Sequence, residues 1–163
     1  MKNRTWTMAF SQPALVSTFL STLTGFLLAS ANPDNQAVSS FLVTFFLMWI
    51  APPLAWMLAA ASVFEKTRFA DLRHSNVQLS VWTSFTAMTL PLIGEVVAGT
   101  GMGCYMRGLW GLDGIGPPIA ATGGIMVFAL IWYFIRGARP LAACSVAAAV
   151  LLNIGFMIGA QIS

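Results

Sequence analysis

Apolar residues in this chain gather into five long runs, parted by short breaks rich in polar residues, glycine or proline. The runs cover about 13–31, 38–64, 77–104, 117–135 and 141–160. A helix of ~20 apolar residues, rising ~1.5 Å per residue, crosses a hydrocarbon core of ~30 Å. The pattern therefore predicts an all-α fold, a single integral membrane domain over 1–163 with about five transmembrane helices.

The breaks have recognisable chemistry. Asn32-Pro33-Asp34-Asn35-Gln36 is a turn cluster that ends the first run. Glu65 to Asn76 is the one truly polar stretch, and Tyr105 to Gly116 is a glycine-rich connection bearing Arg107, Trp110 and Asp113. Arg136-Gly137-Ala138-Arg139-Pro140 is a tight loop before the last run. The first run follows Lys2 and Arg4 and ends in Ala29-Ser30-Ala31, the outline of a signal peptide. Its ~19 residues match a span better than the shorter apolar core of a signal peptide, so it is assigned as the first span.

Prolines interrupt three runs. Pro52 and Pro53 fall inside the second and Pro91 inside the third; each removes a backbone donor, which predicts kinks there. Pro117 and Pro118 fall at the predicted first turn of the fourth, where proline is tolerated. The strings around Pro52-Pro53 and Pro117-Pro118 look alike, but they lie at depths ~9 Å apart in their runs, so no internal repeat is inferred.

Composition agrees with a membrane class. Of 163 residues 58% are hydrophobic and 8% charged, against about 25% charged in soluble domains. The net charge of +3 resides in few basic residues beside apolar runs, which suits orientation and lipid headgroups and gives no nucleic-acid-binding face. With five spans, Lys2, Arg4, Lys66, Arg68, Arg73, Arg136 and Arg139 share one side and Arg107 stands on the other. That asymmetry predicts a cytoplasmic N-terminus and an outside C-terminus, in a bacterial inner membrane.

Small residues mark helix contacts. Ala51, Ala55 and Ala59 repeat every four residues in the second run. Gly155 and Gly159 form a GxxxG pair in the fifth, with Ser145 and Ala148 on the same side and Asn153 in need of a partner. Ser17, Thr18, Ser21, Thr22 and Thr24 make the first run rich in hydroxyls, which are expected to bond back to their own helix or across to a neighbour.

Candidate chemistry centres on Glu95, the acidic residue within an apolar run. A carboxylate in a span is costly and is a functional candidate by default. On a straight helical wheel Ser80, Ser84, Pro91 and Glu95 share a face, and ~27 Å of helix counted from Val77 puts Glu95 near the outer edge of its span, close to Arg107. Its expected partners are Arg107 or neighbouring hydroxyls. Gly99 to Gly103 lacks the strand and the Lys-Ser/Thr pair of a phosphate loop, and suits close backbone approach instead. Cys104 and Cys144 stand alone at opposite ends of their runs and His74 lies in the polar stretch. No metal site, cofactor or disulfide is expected, and no catalytic set is legible.

Three functions fit this frame. The first is a non-catalytic subunit or oligomeric element of a membrane assembly, with lipids and either its own copies or other membrane subunits as partners. The second is a small transporter or channel moving a small solute or cation past Glu95, Ser80, Ser84 and Arg107. The third is a membrane enzyme acting on a lipid or hydrophobic substrate, with least support because Glu95 has no second catalytic group.

Overall fold

The computed structural model describes residues 9–30, 43, 46–71, 81–106, 112–135 and 138–162, excepting the side chains of 66–71 and 112–115. All the elements it contains are helical. They are α1 (Gln12–Ser30), α2 (Ala51–Asp71), α3 (Val81–Ala87), α4 (Thr89–Met106), α5 (Leu112–Leu130), a π-helical turn (Ile131–Ile135) and α6 (Arg139–Ile162). Three helical stretches, Gln12–Ser30, Gly116–Ile135 and Arg139–Ile162, are long and apolar enough to cross a membrane, and the pair α3–α4 makes a fourth if it is one span. Helix α2 is outside that set, because its final turns carry Glu65, Lys66, Arg68 and Asp71.

Element ends differ from the apolar runs for local reasons. Glu, Lys and Arg are good helix formers, so α2 runs through the start of the polar stretch to Asp71. The chain enters α2 with helical spacing: the Ile50 N–H donates to Phe46 C=O and the Leu54 N–H to Ile50 C=O, both at 3.0 Å. Pro52 and Pro53 lie between these bonds and contribute no backbone N–H to the ladder there. Helix α5 begins five residues ahead of the expected start, which places Pro117 and Pro118 inside it and not in its first turn.

The third apolar run is broken. Helices α3 and α4 meet at Met88 with a bend of 60°. The Met88 N–H donates to Ser84 C=O and the Leu92 N–H to Met88 C=O, each at 2.9 Å. Pro91 lies between these bonds and has no N–H to give the Ala87 carbonyl, so the ladder is cut where the helix turns.

Helix α4 is the centre of the packing, held between α1 and α6 by glycine on both sides. A Cβ at Gly25 would strike the Val97 carbonyl, and one at Gly101 would strike the backbone of Gly25. On the other side, Cβ atoms at Gly99 and Gly103 would strike the Leu152 and Phe156 carbonyls, while Gly155 and Gly159 press on Val96 and Thr100. Such contacts need residues without side chains, and lipid offers no hydrophobic driving force to replace close packing. The GxxxG strip of the last helix is therefore occupied within the chain.

These contacts also fix direction. Moving along α1 from Thr18 to Gly25, the partners on α4 advance from Gly94 to Gly101. From Gly99 to Gly103 on α4, the partners on α6 advance from Leu152 to Gly159. Helices α1, α4 and α6 thus run the same way, side by side. Helices α2 and α5 run together, since Pro53 meets Gly124 and Phe64 meets Trp132. Asn153 donates to Thr122 at 2.7 Å across the hairpin α5–α6, so this second pair opposes the first three.

The outward faces carry large apolar side chains. Trp82 is 83% exposed and Phe134 74% exposed, with Phe19, Phe26 and Ile162 similarly bare. A surface of this kind suits lipid and would be a liability in water.

Candidate functional site

The site is built from α1 and α4, with α2 and α6 completing its polar surroundings. Along α1, Ser17, Ser21 and Thr24 are buried at intervals of four and three, which places them on one inward face. Thr18 and Thr24 bond back to the Ala14 and Leu20 carbonyls at 2.7 and 2.8 Å. Ser17 and Ser21 instead reach across the bundle. Ser17 Oγ donates to the Ala55 carbonyl of α2 at 2.6 Å, and Ser21 Oγ donates to Glu95 Oε1 at 3.3 Å.

Glu95 is completely buried. At ~100° per residue it falls between the Gly94–Gly101 face that meets α1 and the Gly99–Gly103 face that meets α6. Pro91, Ala98 and Met102, near it on the wheel, are buried too. Among the described residues Oε2 has no hydrogen-bond partner. The carboxyl is therefore held by one hydroxyl at one oxygen.

Its depth follows from Ser21, the tenth of nineteen residues in α1. Glu95 stands level with the middle of that helix. The straight-helix count from Val77 put it near the outer edge, and the 60° bend at Met88 removes the basis of that count. Of the expected partners, a hydroxyl from α1 meets the carboxyl. Arg107 and Ser80 lie outside the described residues. Ser84 lies on α3, across the bend from Glu95, buried and with its Oγ unpartnered among the described residues. The bend means that Ser84, Pro91 and Glu95 do not lie on one straight face, although all three are buried.

A second polar link closes the bundle close by. Trp56 Nε1 donates to Ser145 Oγ at 2.9 Å, and Ser145 Oγ in turn donates to Leu141 C=O at 2.9 Å. Trp56 is next to Ala55, the acceptor of Ser17, so α1, α2 and α6 are tied at one level. Ala55, Ala59 and Ala148 are buried and Ala51 is half-buried. Cys104 Sγ donates to the Gly159 carbonyl at 3.6 Å near the end of α6, while Cys144 is buried near its start, and both thiols are free.

Sequence reasoning named Ser21 as one of five hydroxyls on the first run and Glu95 as a buried acid, but did not join them. The spacing of Ser17, Ser21 and Thr24 marked the face, and only the parallel docking of α1 on α4 selected Ser21. Among the described residues no three His, Cys, Asp or Glu side chains come together as a metal site.

An apolar groove of about 380 Å³ lies along the bend, lined by Trp82, Phe85, Thr86, Thr89, Ile93 and Leu151 among others. Glu95 takes no part in it. The chain matches no protein-family model, no curated protein and no solved structure.

Proposed function

We propose that this chain is a small membrane transporter or channel that moves a small solute or cation, with Glu95 in its pathway. One observation carries the reading: a wholly buried carboxyl stands level with the middle of α1, about two turns past a break in its own helix. Ionisable groups within membrane spans mark ion and proton routes, and transporter sites gather near the midplane where helices are discontinuous.

The reading includes five crossings with the N-terminus inside and the C-terminus outside. Its support is the common direction of α1, α4 and α6 against α2 and α5, together with the gathering of basic residues on the N-terminal side. Membrane lipids are its surroundings, and a bacterial inner membrane is its proposed location.

Purified protein reconstituted in liposomes tests the function. Wild type should pass a cation down an imposed gradient, and Glu95→Gln should abolish that flux while remaining folded. Equal flux through both would overturn the reading.

The second reading, a non-catalytic subunit of a membrane assembly, draws on the clamp of α1 and α6 on α4, which makes a rigid frame. The small-residue strip of α6, a helix-contact strip for either the bundle or a second copy, is filled from within and adds nothing to that reading. Under it, mild-detergent extraction from the native membrane should yield a complex of fixed composition, and purified protein alone should pass no ions.

A further inference from the structure

We infer that the cargo held at Glu95 is a proton and not a metal ion, and that Ser21 is the residue positioning the carboxyl to hold it. The inference rests on the transport reading above and narrows it to a substrate.

The donor set decides between the two. A divalent ion takes a cage of about six oxygens or more, with several carboxylates or carbonyls converging. Glu95 offers one carboxyl and, among the described residues, meets one hydroxyl, Ser21 Oγ. The other hydroxyls of this stretch of α1 are directed elsewhere: Ser17 donates to Ala55, and Thr18 and Thr24 donate to their own helix. A proton needs only one oxygen, and Oε2 is buried with no partner among the described residues.

Charge around the site points the same way. Helices α1 and α3 contain no titratable residue. Besides Glu95, α4 has Cys104 and Tyr105 at its far end, and α6 has Arg139 and Cys144 in its first turns. Helix α2 carries Glu65, Lys66, Arg68 and Asp71 in its final turns, α5 carries Asp113 at its start, and Tyr133 lies in the π-helical turn. Of those whose side chains are described (Glu65, Cys104, Tyr105, Tyr133, Arg139 and Cys144), none forms a hydrogen bond with the carboxyl. Glu95 therefore has no described cation to neutralise it, and a bound proton is the smallest species that does so. On the α3 side, the Ser84 hydroxyl is buried and unpartnered among the described residues.

Infrared difference spectra of the full-length protein in liposomes, recorded as a function of pH, provide the test. A protonated carboxyl gives a C=O stretch that disappears as the proton leaves. The expected result is such a band that titrates, is missing in Glu95→Gln, and is indifferent to sodium, potassium, magnesium and calcium at fixed pH. If Glu95→Gln does not fold, Glu95→Asp assigns the band by shifting it. Ser21→Ala should raise the stretching frequency, because an acceptor that loses its donor stiffens; an unmoved band would remove Ser21 from the proposal. A band that any of these metal ions abolishes at constant pH, or no titrating band at all, overturns the proton assignment.

Flux separates this failure from that of the underlying reading. A titrating Glu95 band without proton flux, followed by a pH-sensitive dye inside the liposomes, retains the proton site and overturns transport. Glu95-dependent sodium or potassium flux without a titrating band retains transport and overturns the proton.

Discussion

Ser21 Oγ lies 3.3 Å from Glu95 Oε1, and this bond joins the middle of the first helix to the buried acid of the fourth. The two residues are 74 positions apart. Their meeting depends on Gly94, where a Cβ would come within 3.1 Å of Ser21 Cβ. A larger residue at 94 would push α1 away and strand the carboxyl.

The glycine clamp predicts a sharp contrast between glycines. Gly155→Leu and Gly101→Leu drive side chains into backbone of the neighbouring helix, where nothing flexible can yield. Each should destabilise the fold by about 3 kcal/mol or more, at or above the upper end for overpacked cores. Gly123 has open space around its Cβ position, so Gly123→Ala should be neutral or gain up to ~1 kcal/mol of helix propensity. Thermal unfolding in detergent checks both, and equal melting temperatures for Gly155→Leu and wild type would contradict the packing.

Pro91→Ala restores an N–H opposite the Ala87 carbonyl and should straighten the joint at Met88. Spin labels at Trp82 and Ile93, in a background without Cys104 and Cys144, measure the outcome. In a straight helix their Cα atoms would be ~16 Å apart along the axis; wild type should give a shorter distance, and Pro91→Ala a distance nearer that value. Identical distances in the two would assign the bend to something besides the proline.

The indole bond between α2 and α6 predicts a small, specific loss. Trp56→Phe leaves Ser145 without its donor, and a cycle with Ser145→Ala should return a coupling of about 0.6 kcal/mol, the usual scale for such bonds in membrane bundles. A coupling of zero would mean that the bond contributes nothing to holding the helices together.

Parallel α1 and α6 predict which ends share a side of the membrane. Single cysteines at Gln12 and Ala138 should react with an impermeant maleimide from one side, and cysteines at Ser30 and Gln161 from the other. Labelling of Gln12 and Gln161 positions from the same side would rule out five alternating crossings.

The helical class and membrane character were legible because each rests on runs of apolar residues and on a shortage of charge, which are properties of composition. Close backbone approach was foreshadowed by the glycines near 99–103, since only glycine permits it. The partner faces were not legible, because Gly101 and Gly103 differ only in which neighbour they meet. The level of Glu95 along the bundle was not legible for a related reason: counting along a straight helix assumes the ladder is whole, and Pro91 cuts it.

By itself, then, the sequence determined that this chain forms apolar helices and that one of them must bury an acid. That much follows from local propensity and the cost of exposing polar groups to hydrocarbon. Tertiary structure decided where the acid stands and what it touches. The bend at Met88 and the parallel docking of α1 bring Ser21 to Glu95 at mid-helix, while α6 closes the other side of α4. Those are relations between distant segments, set by which glycine faces fit together, and no periodicity within a single run encodes them.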